Sequence, residues 1–221
     1  MNYQKELEQL LSKLSQEEYI PSLLLHSCCA PCSSYVLEYL SDYFRITVFF
    51  YNPNIYPESE YIRRIADQQA LIPVLNEVEI NSSVPHLKRV VNTRHPISFL
   101  AGRYEPDEFY NRTRGIEQVG EGGPRCIRCY QMRLDEAARV AEEGEFDYFA
   151  TTLSISPMKH AATINQIGEE IAKQMGVKYL LSDFKKRNGY QRSIELSRQY
   201  DLYRQNYCGC EFSLPRKKEE Q

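Results

Sequence analysis

The stretch Leu23-Leu24-Leu25-His26-Ser27-Cys28-Cys29-Ala30-Pro31-Cys32, continued by Ser33 to Leu40, constrains this chain more than any other. Leu23 to Leu25 read as a short strand buried on both sides, the pattern of a parallel sheet covered on each face. Ser33 to Leu40 reads as a helix, so the three cysteines fall on the turn at the carboxyl end of the strand. In an open α/β sheet that crevice is where ligands bind. Free N–H groups and the positive end of the following helix favour thiolate over thiol there. Core packing does not account for three sulfurs on one turn. The turn reads as half of a metal or redox site, with its partners among the other four cysteines.

The rest of the chain repeats the strand-to-helix rhythm. Asn2 to Tyr19 carries Leu7, Leu10, Leu11 and Leu14 at helical spacing, an amphipathic helix ahead of the core. Ile46 to Tyr51 is a nearly continuous β-branched and aromatic run, halted by Asn52-Pro53-Asn54, and Pro57 opens a helix to about Leu71. Val78 to Ile80, Phe146 to Thr152 and Val177 to Leu181 complete the expected strands. Tyr130 to Glu143, His160 to Met175 and the stretch from Asn188-Gly189 to about Tyr200 are the expected helices. The spacing predicts an α/β fold: a mainly parallel five-stranded sheet with helices on both faces. Residues 82–125 interrupt the rhythm and read as a helical insertion carrying Arg89, Arg94, Arg103, Arg112 and Arg114. The whole reads as a single domain over 1–221, with an N-terminal helix at 1–20 and a C-terminal redox segment at 204–214.

The 221 residues hold 27 basic and 30 acidic side chains, a balance that neither favours nor excludes a polyanionic partner. No apolar run is long enough to span a bilayer. The opening residues lack the basic start, apolar middle and small-residue cleavage site of a signal peptide, so a cytoplasmic protein is expected. In a reducing compartment, clustered cysteines point to metal binding or catalysis rather than structural disulfides. Here they form three groups: Cys28, Cys29 and Cys32; Cys126 and Cys129; Cys208 and Cys210.

Cys126-x-x-Cys129 can bring two sulfurs to one metal centre, and thiolates suit zinc or an iron–sulfur cluster. Cys208-Gly209-Cys210 is compatible with two further metal ligands, or with a strained, labile disulfide suited to redox work. The place of a glycine-rich phosphate loop is taken by HSCCAPC, and no G-x-G-x-x-G or Walker pattern occurs, which disfavours ATP chemistry. Asp183 and Lys159, on strand-end loops, are candidates for proton transfer. Were a polyanion the partner, Lys185-Lys186-Arg187 with Arg192, and Arg125 with Arg128, would be the candidate basic surface, and Tyr190 and Tyr207 the rings to stack on a splayed base.

From Leu23 to Leu214 the sequence resembles the QueH-type epoxyqueuosine reductase family. The stretches that carry the likeness are LLLHSCCAPC, FFYNPNIYPESEYIRR, GGPRCIRC, ATTLSISPMK, DFKKRNGYQRS and LYRQNYCGCEFSL. The resemblance implies an adenine-nucleotide α-hydrolase-like (HUP) α/β fold turned to redox chemistry: reduction of epoxyqueuosine in tRNA to queuosine, the last step of queuosine formation. It implies that Cys28, Cys29, Cys126 and Cys129 hold a 4Fe–4S cluster and that Cys208 and Cys210 are the redox-active pair. A second iron beside the cluster belongs to that picture, with Cys32 as its ligand on this chain. The implied partners are tRNA and an external electron donor, with no membrane. Two alternatives remain at this point: an iron–sulfur tRNA sulfur transferase on the same fold, and a nucleic-acid-binding module stapled by zinc.

Overall fold

The computed structural model describes residues 2–77 and 95–214. Five strands form one sheet in the order β3-β2-β1-β4-β5, every pair parallel: β1 (Ser22–His26), β2 (Arg45–Phe50), β3 (Ser98–Ala101), β4 (Tyr148–Thr151) and β5 (Lys178–Tyr179). The chain runs outward from β1 to β3 on one side, then crosses back to β4 on the other. That reversal puts a topological switch point between β1 and β4, where the helices leaving the two strands diverge and open a crevice.

Alternation along the central strands assigns the two faces. Leu23 and Leu25 of β1, with Ile46 and Val48 of β2, pack against α1 (Tyr3–Leu14), α2 (Ala30–Leu40) and α3 (Glu58–Glu77). Leu24, Phe49 and Phe149 point the other way, into α5 (Pro124–Glu143) and α6 (Ala161–Met175). The short α4 (Pro106–Thr113) lies against α5, and α7 (Gly189–Gln199) against α2. The expected parallel sheet with helices on both faces is the observed one. The N-terminal helix does not stand apart from the core: Leu7 and Leu11 are buried in the same cluster as β1, and Asn2 caps its first turn through Lys5 N–H.

Three boundaries differ from the sequence reading, each with a physical reason. The edge strand β3 lies inside the stretch read as helical. Its apolar run is only four residues long, sits on an edge and is largely exposed, so it leaves no strong period. The expected strand Val78–Ile80 and the helical candidate at 82–94, with Arg89 and Arg94, lie outside the described residues. α2 begins at Ala30 rather than Ser33, and α5 at Pro124 rather than Tyr130, each with a proline in its first turn. Cys32, Cys126 and Cys129 therefore sit on helical turns, and of these two groups Cys28 and Cys29 alone precede their helix.

Candidate metal and redox centre

The turn after β1 is fixed from three sides. His26, fully buried, spans the strand ends: Nε2 lies 3.0 Å from Tyr51 O and Nδ1 2.8 Å from Thr151 Oγ1. A carbonyl only accepts, so Nε2 carries the proton and Nδ1 accepts from the threonine hydroxyl. Burial, then the charge of Arg133, pushes its pKa down to about 4, so the ring is neutral. Asn52 Nδ2 donates to Ser27 O at 2.8 Å, and the Ser27 and Ser33 hydroxyls both donate to Gln68 Oε1 at 2.8 Å.

Onto this frame the chain sets three sulfurs. The Sγ atoms of Cys28, Cys29 and Cys32 all lie within 4.8 Å of one another, with Cys28 and Cys29 3.8 Å apart. Hydrogen bonds from the Cys29 and Cys32 thiols, aided by the Lys159 charge, hold Cys28 well below the usual thiol value. Cys29 is pushed up to about 12 by burial and by its bond to Cys28, and Cys32 is raised by its bonds to both. Gln205 Nε2 donates to Cys29 Sγ at 3.0 Å.

The second group sits on one face of α5. Gly123 and Pro124 start the helix, and Cys126 and Cys129, three residues apart, project to the same side. Gly122 N–H donates to Cys126 Sγ at 3.2 Å. Burial raises both thiols, Cys129 to about 12. The third group lies across these two. Arg64 Nη1 donates to Cys208 O at 3.1 Å, and Tyr56 N–H to Gly209 O at 2.8 Å. Gly209 has φ +134°, and a Cβ there would lie 3.1 Å from Arg64 Nη1 and 3.2 Å from Ile55 Cγ1. Only glycine fits this turn.

Cys126, Cys129, Cys208 and Cys210 line one narrow pocket with Arg133 and Tyr130. Cys28, Cys32 and Cys208 line an adjoining open cleft of about 390 Å³ with Lys159, Tyr190 and Tyr207. Cys208 forms part of both walls, so all three sulfur groups converge on the switch-point crevice. All seven thiols are free.

The other expected residues divide. Lys159 and the two tyrosines are on the cleft. Asp183 lines a separate depression beyond Lys159 and is paired with Lys185 at 2.6 Å; it lines neither sulfur pocket. Most of the expected basic surface is already engaged. Arg187 pairs with Glu8 at 2.9 Å, Arg192 with Glu38 at 2.6 Å, and Arg112 with Asp135 at 3.4 Å. Arg125 is buried and donates to the carbonyls of Glu117 and Val119, tying down the loop before α5, and Arg128 donates to Arg112 O.

Four side chains that shape the site escaped the sequence reading: His26, Arg64, Arg133 and Gln205. Arg133 had a legible signal, since it stands four residues after Cys129 on the helix face that carries the sulfurs. The donor set fits a soft, thiolate-held metal group, because the Cys28–Cys29–Cys32 triad sets three sulfurs within 4.8 Å of one another. The fit has a second support in Arg133 Nη2, a buried donor with no protein partner.

A parallel α/β sheet whose switch-point crevice is walled by thiols defines a class: α/β proteins with a cysteine-built site at the sheet's carboxyl edge, where open sheets of this kind bind their ligands. A family model described as "Epoxyqueuosine reductase QueH" matches residues 23–216, and the chain belongs to that family. It is 43% identical over 213 residues to the epoxyqueuosine reductase QueH of Streptococcus pyogenes serotype M1, covering 96% of this chain and 78% of that protein. The Staphylococcus epidermidis protein of the same name is 40% identical over 96% of this chain and 84% of its own length. That of Thermotoga maritima is 35% identical over 90% of this chain and 93% of its own. No described helix is long and apolar enough to cross a membrane.

Proposed function

We propose that this chain reduces epoxyqueuosine in tRNA to queuosine. Cys28, Cys29, Cys126 and Cys129 would hold a 4Fe–4S cluster, Cys32 would ligate a second iron, and Cys208 and Cys210 would form the redox-active dithiol. The observation that carries the reading is the position of Cys208 on the wall shared by the sulfur pocket and the open cleft. A base entering the cleft meets that thiol, and the same thiol borders the sulfurs of α5. When bound, the metal group supplies single electrons and a Lewis-acidic contact for the epoxide oxygen.

The chain's own residues account for the remaining balance. Opening an epoxide to an alkene consumes two electrons and two protons and releases water. Oxidation of the Cys208–Cys210 dithiol to a disulfide yields two electrons and two protons, which matches. An external thiol or protein reductant then restores the pair. Lys159, 8% exposed on the cleft wall and raised well above its usual pKa by the neighbouring Cys208, Cys28 and Cys32 sulfurs, keeps its proton and presents a fixed positive charge to a leaving oxygen. Tyr190 and Tyr207 offer ring faces to a splayed base. Arg187 and Arg192 pair with Glu8 and Glu38 at the surface and remain partly exposed, so tRNA contact would draw on such pairs and on the cleft rim. Seven free thiols suit a reducing, cytoplasmic setting.

The test is anaerobic incubation of iron-reconstituted protein with epoxyqueuosine-containing tRNA and a reductant, followed by mass spectrometry of the digested nucleosides. Loss of one oxygen atom is expected. Cys208→Ser should retain its iron and lose turnover; undiminished turnover removes the dithiol from the reaction.

A further inference from the structure

Arg133 is the most deeply buried cation in the described residues that has no anion to account for it. It projects from the middle of α5 with 1% of its surface exposed. Nε donates to Cys129 O at 3.2 Å, the ring of Tyr130 lies 5.8 Å from its guanidinium carbon, and Nη2 has no partner. No described carboxylate pairs with it. Arg64, the other fully buried arginine, differs on this point, since it is paired with Glu60 at 2.7 Å. A buried charge without a counter-charge is strongly destabilising, so a chain that keeps one has something to neutralise it.

The groups around Arg133 are sulfurs. It lines the pocket with Cys126, Cys129, Cys208 and Cys210. The sulfurs of Cys129, Cys208 and Cys28 raise its pKa despite its burial. Arg125 and Glu121 line the same pocket, but Arg125 spends its guanidinium on the carbonyls of Glu117 and Val119, and Glu121 is exposed. His26 is neutral, and Lys159 lines the open cleft. Within the narrow pocket, Arg133 is therefore the cation that keeps a buried donor unpartnered beside the sulfurs.

We propose that Arg133 is the built-in counter-charge of the iron–sulfur group, holding its reduction potential up by stabilising the more negative, reduced state. The inference rests on the cluster reading given above. The couple is a one-electron one: the oxidised group takes an electron from the reductant and gains one negative charge, while Arg133 neither gains nor loses a proton. A fixed charge on the wall of the same pocket, in a medium of intermediate permittivity, shifts such an equilibrium by at least about tenfold. Arg133 touches no reacting atom; it acts through the group it sits beside.

The experiment is a dithionite titration, followed by absorbance, of anaerobically reconstituted wild type, Arg133→Gln and Arg133→Lys at matched iron content. At the wild-type midpoint, the ratio of reduced to oxidised group should fall at least about tenfold in Arg133→Gln, a shift of about 59 mV for a one-electron couple. Arg133→Lys, which keeps the charge, should stay within about threefold. A structural role would not produce this pattern, and the metal-free proteins supply the contrast. Arg133→Met should melt no lower than wild type without iron, because its buried charge has been removed along with the need to neutralise it. Equal midpoints for wild type and Arg133→Gln overturn the inference, as does a large loss of metal-free stability in Arg133→Met. If Arg133→Gln holds no iron, retention by Arg133→Lys with loss by Arg133→Met supports the charge, and loss by both overturns it. Failure of the wild type to take up iron and sulfide sinks the cluster reading itself, a result distinct from iron-loaded variants that share one potential.

Discussion

The sulfur turn after β1 and the Cys208–Cys210 segment reach the same crevice by opposite means. The turn is part of the sheet: His26 cross-links the ends of β2 and β4, and Asn52 and Gln68 hold the serines on either side of the cysteines. The C-terminal segment lies outside the sheet and is held by a few side-chain and backbone bonds from the Asn54 to Arg64 region. One group is positioned by the global fold, the other by a local latch. A ligand set should be rigid, whereas a thiol pair that opens and closes needs some freedom, and the two supports match those two duties.

The largest effect should come from breaking the rigid half. His26→Ala takes the imidazole donor from Tyr51 O and the acceptor from the Thr151 hydroxyl proton, and opens a void at the end of the central strand. We expect a loss of about 4 kcal/mol in urea unfolding of the metal-free protein. The same residue gives the turn a pH signature. Its folded pKa of about 4 lies below the ordinary 6.5, so between those values the unfolded chain binds a proton that the native state refuses. The stability it contributes is complete above pH 6.5 and is lost as pH falls to 4, about 3 kcal/mol in all. Urea midpoints at pH 7 and pH 4.5 should diverge in the wild type, and that part of the slope should be missing from His26→Ala. Parallel curves would show that the ring is not held neutral.

The local half should lose activity rather than stability. Gly209→Ala forces a side chain into a left-handed backbone position and against Arg64 and Ile55. The segment must shift, and a displacement of about 1 Å at a reacting thiol costs about 100-fold in turnover. Iron content should be unchanged, because the proposed ligands lie on the other two groups. Turnover within threefold of the wild type, measured on epoxyqueuosine tRNA, would show that the latch tolerates movement and that the contrast between the halves is overstated.

The same contrast explains what the sequence made legible. Leu23 to His26 announced a central strand because both of its faces are covered, and the cysteines after it announced a site because nothing in packing needs them. The place of the cysteines at the carboxyl end of β1 followed from the strand-and-helix order; the strand order that makes this a switch point did not. β3 was missed because a four-residue, exposed edge strand carries almost no pattern. Arg64 and Gln205 were missed because their roles depend on contacts across 144 and 176 residues, which no local spacing encodes. Asp183 was chosen for its place at a strand end; the structure pairs it with Lys185 and sets it on the depression it shares with Lys159, a neighbourhood that no local spacing encodes. A linear reading likewise cannot see that Glu8 and Glu38, far away in sequence, pair with Arg187 and Arg192 at the surface.

The smallest effect should come from the far end of the same two strands. Asp147 ties the start of β4 to that of β1: its carboxylate accepts from Ser22 N–H at 2.8 Å and from the Ser22 and Tyr19 hydroxyls at 2.9 Å, while its own N–H donates to Ser22 Oγ at 3.0 Å. Partial burial raises its pKa, but the bonds from Ser22 and Tyr19 outweigh this and leave the net value below the usual carboxylate range. The folded pKa is the lower one, so the contribution is present above about pH 4 and is lost as pH falls further. Asp147→Asn keeps the shape and removes the charge, with an expected loss of about 1 kcal/mol at pH 7. Turnover and iron content should not change, since the substitution lies at the amino edge of the sheet and the sulfur crevice at the carboxyl edge. A drop in iron retention would mean that the register of β1 against β4 is set from this end, and that the rigid half of the site depends on a surface latch of its own.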